Sequence, residues 1–73
     1  MRIKAHFSNF LSKLKIEDNL KWWNYYDTYK GDLRWDVYTD YILIYGNAAC
    51  LNMARELKKC NLYIEVEDWR VFK

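Results

Sequence analysis

The apolar residues at the start of the chain have the spacing of an amphipathic helix. Within residues 2–15 they recur at i, i+4, i+7, i+8 and i+11, at Ile3, Phe7, Phe10, Leu11 and Leu14. At about 100° per residue these side chains share one face. The pattern predicts a first helix over residues 2–15, with basic side chains on both flanks of its apolar face.

A segment rich in large rings follows at residues 19–30. Its rings recur at i, i+3, i+4 and i+7, at Trp22, Tyr25, Tyr26 and Tyr29. Asp18 is a suitable N-cap residue, and Gly31 suits the position after a helix C-terminus. Tryptophan and tyrosine are also enriched in strands. We expect a helix here, with a strand as the alternative.

Residues 33–46 have the pattern of a β-hairpin. Residues 33–38 and 41–45 are both strand-like, and Thr39-Asp40 between them is placed for a tight turn. One continuous strand over this segment is the alternative.

Residues 48–60 give the clearest amphipathic helix in the chain. Its apolar residues fall on an arc of about 140°, and they are Ala49, Cys50, Met53, Ala54, Leu57 and Cys60. Asn47 is placed as the N-cap, and Asn61 as the residue that ends the helix.

Residues 62–72 return to a strand pattern, in which apolar and polar residues alternate. The alternation changes phase at Asp68. We expect either a turn into a final strand at residues 69–72 or a bulge at this point.

These elements give the order α-α-β-β-α-β-β, or α-β-β-α-β if residues 19–30 are a strand. Both orders predict an α+β fold, an antiparallel β-sheet with amphipathic helices packed on one face. A chain of 73 residues fits a single small compact domain over residues 1–73.

Composition restricts the class of protein further. Hydrophobic residues make up 52% of the chain and charged residues 30%, which is a composition that folds. No apolar run approaches the roughly 18 residues of a membrane span, and we expect no signal peptide. Cys50 and Cys60 lie about 15 Å apart on the predicted helix, too far for a disulfide. We therefore expect a protein of the reducing cytoplasm.

The sequence contains no catalytic constellation, so we predict that the protein is not an enzyme. A short chain leaves little room for a pocket and its supporting shell. His6 is the only histidine and no Cys-x-x-Cys pair occurs, so we predict no metal site and no cofactor. Four carboxylates recur through the aromatic middle of the chain, where turn, cap and surface roles account for them best: Asp27, Asp32, Asp36 and Asp40.

The aromatic content, 19% of the chain, is the strongest departure from an ordinary small domain. Neighbouring helix residues point about 100° apart, so at least one of Trp22 and Trp23 should be exposed. Tryptophan and tyrosine are enriched at binding hot spots. We predict a partner-binding surface that combines rings with carboxylates: Trp22, Trp23, Tyr25, Tyr26, Tyr29, Asp27, Asp36 and Asp40.

An acidic aromatic surface suits a basic protein partner, including a protein that binds nucleic acid. The small size, the absence of proline and the aromatic content resemble those of small phage and mobile-element proteins. Such proteins commonly inhibit host or defence machinery by occupying a functional surface. A second copy of the chain, in a homodimer, is another candidate partner, because exposed apolar patches usually mark interfaces. We predict no membrane partner.

The alternative function is nucleic-acid binding by the basic first helix. Residues 1–16 carry four basic residues and no acidic ones. Phosphate contacts would come from the basic residues of both predicted helices: Arg2, Lys4, Lys13, Lys15, Lys58 and Lys59. Residues 17–50 carry six acidic residues against three basic ones, and these carboxylates repel phosphate. Direct nucleic-acid binding is therefore the less favoured function.

Overall fold

The computed structural model describes residues 1–26 and 30–68. Its elements, in chain order, are β1 (Arg2–His6), α1 (Phe10–Tyr25), β2 (Arg34–Val37), β3 (Tyr41–Tyr45), α2 (Ala48–Lys59) and β4 (Ile64–Asp68). The predicted site residues Asp27 and Tyr29 lie outside the described residues, as does the predicted final strand at 69–72.

The strands form one sheet in the order β2-β3-β1-β4, and every neighbouring pair is antiparallel. Each helix therefore connects two strands that run parallel to each other with a third strand between them. This is the split βαβ arrangement of ferredoxin-like folds. The predicted fold class, α+β with an antiparallel sheet and helices on one face, is confirmed.

The core lies between the helices and one face of the sheet. Alternate strand residues are fully buried there, including Ile3 and Ala5 on β1 and Ile42 and Ile44 on β3. The helices contribute Ile16, Leu20, Ala49, Cys50, Met53, Ala54 and Leu57. The strict alternation on β1 and β3 leaves every second side chain on the opposite face of the sheet.

The prediction of a helix over residues 2–15 is correct for residues 10–15, which begin α1, and wrong for residues 2–9. Residues 2–6 form β1, which is hydrogen-bonded to strands on both sides. Ile3 and Phe7 are four residues apart, and this spacing fits a strand as well as a helix. The buried Ile3 and Ala5 alternate with partly exposed polar residues, which is the pattern of a strand with one buried face.

The first helix begins at Phe10, because Asn9 supplies its N-cap. The side-chain oxygen of Asn9 accepts a hydrogen bond from the backbone N–H of Ser12 at 2.8 Å. The helix then runs to Tyr25, so helix is confirmed for residues 19–25. The observed order is β-α-β-β-α-β, and both predicted element orders are wrong.

The second half of the chain follows the predictions closely. The hairpin, the helix over residues 48–59 and the strand at Ile64–Asp68 are all present. The phase change at Asp68 is a bulge, since the partners of Ile3 and Arg2 on β4 step from Val66 to Asp68. Asn61 ends α2 with a φ of 63°, and the N–H of Leu62 bonds back to the carbonyl of Leu57, which is a Schellman cap.

Candidate binding surfaces

One face of the sheet is not covered by the helices. The residues opposite the core on each strand define this open sheet face: Arg2, Lys4 and His6 on β1, Arg34 and Asp36 on β2, Tyr41, Leu43 and Tyr45 on β3, and Glu65 and Asp68 on β4. Glu67, the extra residue of the bulge, joins them through its contacts with Arg2 and Lys4. The two central strands, β1 and β3, therefore present alternate side chains to the exterior.

Four rings meet at one end of the open sheet face, and we call them the sheet ring cluster: His6, Tyr38, Tyr41 and Tyr63. The ring centroid of His6 lies 5.7 Å from that of Tyr41 and 4.9 Å from that of Tyr63. Tyr38 stacks on Tyr41 at 4.9 Å with an interplanar angle of 19°. Tyr63 is 64% exposed and Tyr38 is 46% exposed. The cluster therefore leaves ring surface exposed to solvent.

The cations beside these rings are paired with carboxylates. The Nζ atom of Lys4 lies 3.0 Å from Oε1 of Glu67 and 4.0 Å from Oε1 of Glu65, while Nε of Arg2 lies 3.0 Å from Oε2 of Glu67. The hydrogen bond to Glu67 raises the pKa of Lys4 above its ordinary value. Three cations (Arg2, Lys4, Arg34) and four carboxylates (Asp36, Glu65, Glu67, Asp68) share the face, so there is no surplus of positive charge beside its rings.

A second exposed surface runs along α1. Ile16 and Leu20 face the core, and the opposite side of the helix presents a line of exposed residues within an arc of about 100°. We call it the outer stripe: Leu11, Leu14, Lys15, Asp18, Trp22 and Tyr25. Leu11 is 77% exposed and Trp22 is 56% exposed. A shallow depression along the stripe reaches Glu56 on α2.

The predicted partner-binding residues are divided between two sides of the molecule. Trp22 is exposed on α1 and packs against Trp23 at 4.8 Å and Tyr26 at 5.3 Å, between ring centroids. Trp23 packs against the core, so the expectation that one of the two tryptophans is exposed is confirmed. Tyr25 and Tyr26 are exposed on the same helix end.

The predicted carboxylates lie elsewhere. Asp36 is on the open sheet face, opposite Leu43, and Asp40 is exposed in the turn between β2 and β3. The helix layer is on the other side of the sheet. The structure therefore does not bring Asp36 together with Trp22, because β2 directs its alternate side chains away from the helices.

The predicted basic residues do not form one surface either. Arg2 and Lys4 project from β1 onto the open sheet face, and the prediction that they belong to a basic N-terminal helix is wrong. Lys13 and Lys15 lie on α1, where Lys13 is 4.0 Å from Glu17. Lys58 and Lys59 are exposed in the last turn of α2. The helix lysines and the β1 cations thus lie on opposite sides of the sheet.

Sequence reasoning missed the sheet ring cluster. The signal that would have found it is the alternation Tyr41, Leu43, Tyr45 against the buried Ile42 and Ile44. A partner strand with the same alternation on β1 places His6 opposite Tyr41. Once residues 2–15 were interpreted as a helix, His6 had no reason to be near the hairpin.

Asp32, one of the recurring carboxylates, has a structural role. Its Oδ2 atom accepts hydrogen bonds from the backbone N–H groups of Asn47 at 3.2 Å and Ala49 at 3.0 Å. Asp32 therefore caps α2, whereas the side chain of Asn47, predicted as the cap, makes no capping hydrogen bond. Residues 1–26 and 30–68 contain no group of three His, Cys, Asp or Glu side chains arranged to hold a metal ion.

The fold and these surfaces define a small α+β protein with a split βαβ sheet that is covered on one face by helices. No protein-family model, curated protein or solved structure matches the chain. Within the described part of the chain, neither helix has the length and apolar character needed to cross a membrane. Function must therefore be argued from the surfaces themselves.

Proposed function

We propose that this chain is a non-enzymatic binding module that docks another protein on its open sheet face. The observation that carries the proposal is the sheet ring cluster, an exposed aromatic group whose neighbouring cations are already paired with Glu65 and Glu67. Tyrosine is enriched at the hot spots of protein interfaces, and lysine and acidic residues are depleted at their centres. We therefore place the centre of the proposed interface at the ring cluster, at one end of the face, with the paired charges beside it.

The chemistry of the face favours a partner that presents arginine. A guanidinium group stacks on tyrosine rings and pairs with carboxylates, and Tyr38 and Asp36, both exposed, offer the two kinds of contact on one face. Proteins that bind nucleic acid carry such basic surfaces. Occupying one of them would make this protein a stoichiometric inhibitor, as for the small phage and mobile-element proteins that it resembles in size and composition.

The remaining chemistry supports binding over catalysis. Asp32 caps α2, and Glu67 holds both Arg2 and Lys4, so these charged groups already have structural partners. Cys50 and Cys60 are free thiols. We place the protein in a reducing compartment such as the cytoplasm, where free thiols persist.

Single-stranded nucleic acid is the second candidate ligand of the same face. The specific observation in its favour is that rings project from the two central strands of a four-stranded sheet, as in sheets that stack RNA bases. The carboxylates of the face disfavour nucleic-acid binding, because they compete with phosphate for Lys4 and Arg2. Protein binding is the function that the charge balance favours.

The test compares a sheet variant with a matched variant of α1. Tagged wild-type protein, the Tyr38→Ala/Tyr63→Ala double variant and Tyr25→Ala are used to capture proteins from a native lysate, and the captured protein is then purified and titrated. We expect a one-to-one complex that the sheet variant weakens by about tenfold or more, with Tyr25→Ala unchanged.

Titration of labelled single-stranded RNA and DNA is the second arm. Binding that falls steeply between about 50 and 200 mM salt, and that requires Tyr38 and Tyr63, would replace the protein-docking proposal with the nucleic-acid one. Equal capture by all three variants would remove the open sheet face as the site.

A further inference from the structure

The outer stripe of α1 is a second surface, independent of the open sheet face, and its composition is ordered along the helix. Apolar residues occupy both ends, with Leu11 and Leu14 toward the N-terminus and Trp22 and Tyr25 toward the C-terminus. Between them lie two opposite charges, Lys15 and Asp18, one turn apart. The line thus has the order apolar, positive, negative, apolar.

This order is self-complementary when the helix is reversed. The geometry points to a homodimer in which α1 packs antiparallel against α1 of a second copy around a two-fold axis. Leu11 then faces the partner's Trp22, and Lys15 faces the partner's Asp18. Because the axis is two-fold, each of these contacts occurs twice.

Electrostatic interactions favour this register over a shifted antiparallel register and over a parallel arrangement of the two helices. A shift that sets Leu11 against the partner's Tyr25 places Asp18 against the partner's Asp18, which is repulsive. A parallel arrangement sets every residue against its own copy, so that Lys15 meets the partner's Lys15. The shifted register also pairs apolar residues, Leu11 with Tyr25 and Leu14 with Trp22. Of the three arrangements, however, only the first sets Lys15 against Asp18 and places no like charges opposite each other.

The depression along the stripe supports the same arrangement. It is lined by Leu11, Leu14 and Trp22 together with Asn19 and Glu56, whose side chains are linked by a hydrogen bond at 3.3 Å. The side chain of the partner's Leu11 would rest beside Trp22 in this depression. Because the outer stripe faces away from the core, the dimer leaves both open sheet faces uncovered.

Charge exchange tests the register directly. Sedimentation velocity from micromolar to millimolar concentration should show a dimer for the wild type. Lys15→Glu and Asp18→Lys should each raise the dissociation constant by about tenfold or more, because each creates two like-charge contacts. An equimolar mixture of the two variants should restore the dimer, since the introduced glutamate then faces the introduced lysine. Lys59→Glu, the same charge change on α2, should leave the dimer intact.

Cross-linking provides a second measurement that does not depend on the stability of the charge variants. In a Cys60→Ser background, Leu11→Cys mixed with Trp22→Cys should form an intermolecular disulfide on oxidation. Leu11→Cys alone should not, because the two copies of position 11 are then about 16 Å apart along the helix axis. A monomeric wild type at all concentrations, a mixture no tighter than its components, or self-cross-linking at position 11 would overturn the proposal. The sheet variants above change none of these residues, so the two proposals fail separately.

Discussion

Lys4 lies between a carboxylate and a ring. Its Nζ atom is 3.0 Å from Oε1 of Glu67 and 4.9 Å from the centroid of the Tyr41 ring. The hydrogen bond to Glu67 is the largest cause of the raised pKa of Lys4, and the negative charge of the same carboxylate adds to it. If the open sheet face binds a ligand as proposed, this arrangement should disfavour phosphate groups, because the cation nearest the rings is already paired with Glu67.

Glu67→Gln should therefore change the specificity of the face. The substitution removes one negative charge that contacts both Arg2 and Lys4. The pKa of Lys4 should fall toward its ordinary value, and single-stranded nucleic acid should bind more tightly than to wild type. NMR titration of the Lys4 side chain and a salt series of oligonucleotide binding measure the two effects.

A matched control for that experiment is Glu56→Gln. It removes the same charge from α2, on the helix side of the sheet, and should leave the affinity for oligonucleotides unchanged. Equal increases for both variants would mean that total charge, rather than the pairing of Lys4, governs binding.

The placement of residues 2–6 in the sheet predicts a contrast between two apolar residues near the N-terminus. Ile3 is fully buried on β1, whereas Phe10 is 68% exposed at the start of α1. Ile3→Ala should lower the free energy of unfolding by about 2–5 kcal/mol, and Phe10→Ala should change it by less than about 0.5 kcal/mol. Urea unfolding followed by tryptophan fluorescence measures both, and similar losses for the two variants would support a helix over residues 2–15, which places both side chains on one apolar face.

The same contrast shows why the N-terminal third could not be predicted from its pattern. Leu11 and Leu14 share a helical period with Ile3, so the pattern predicts that all three lie on one apolar face. In the structure, Leu11 and Leu14 lie on the outer stripe, and Ile3 lies in the core. Ile3 and Ala5 alternate over only five residues, which a helical pattern extending to Leu14 easily conceals. When a helix carries apolar residues on its exposed side as well as on its buried side, the hydrophobic pattern does not show which side faces the core.

The C-terminal half was predictable because its local signals agree with each other. The polar and apolar sides of α2 are separate, and Asn61 adopts the left-handed conformation that ends a helix. The open sheet face could not be predicted, because it requires β1 to lie beside β3, a pairing between residues about forty positions apart. The sequence prediction placed Asp36 and Trp22 on one surface for the same reason. Only the sheet topology shows that β2 directs Asp36 away from the helix that carries Trp22.

Capping of α2 by Asp32 should be worth a measurable amount of stability. One carboxylate oxygen accepts from two backbone N–H groups at the start of the helix. Asp32→Ala should lower the free energy of unfolding by about 1–2 kcal/mol. Asp36→Ala removes an exposed carboxylate four residues later and should change stability by less than about 0.5 kcal/mol. Similar losses for both variants in urea unfolding would argue against the capping role.

The two cysteines should differ sharply in reactivity. Burial raises the pKa of the Cys50 thiol to about 11, whereas Cys60 is exposed. Thiolate is the reactive form, so iodoacetamide at neutral pH should label Cys60 first, and Cys50 only when the chain unfolds. The pKa of Cys50 is higher in the folded state than in the unfolded state. The contribution of the Cys50 thiol to stability is therefore fully present below its unfolded-state pKa, and it is lost as the pH rises through its folded-state pKa. Unfolding in urea at pH values on either side of this range, compared with Cys50→Ala, should show a smaller alkaline loss of stability in the variant. Equal labelling of both cysteines in the native protein would show that Cys50 is accessible, and would contradict the packing of α2 on the sheet.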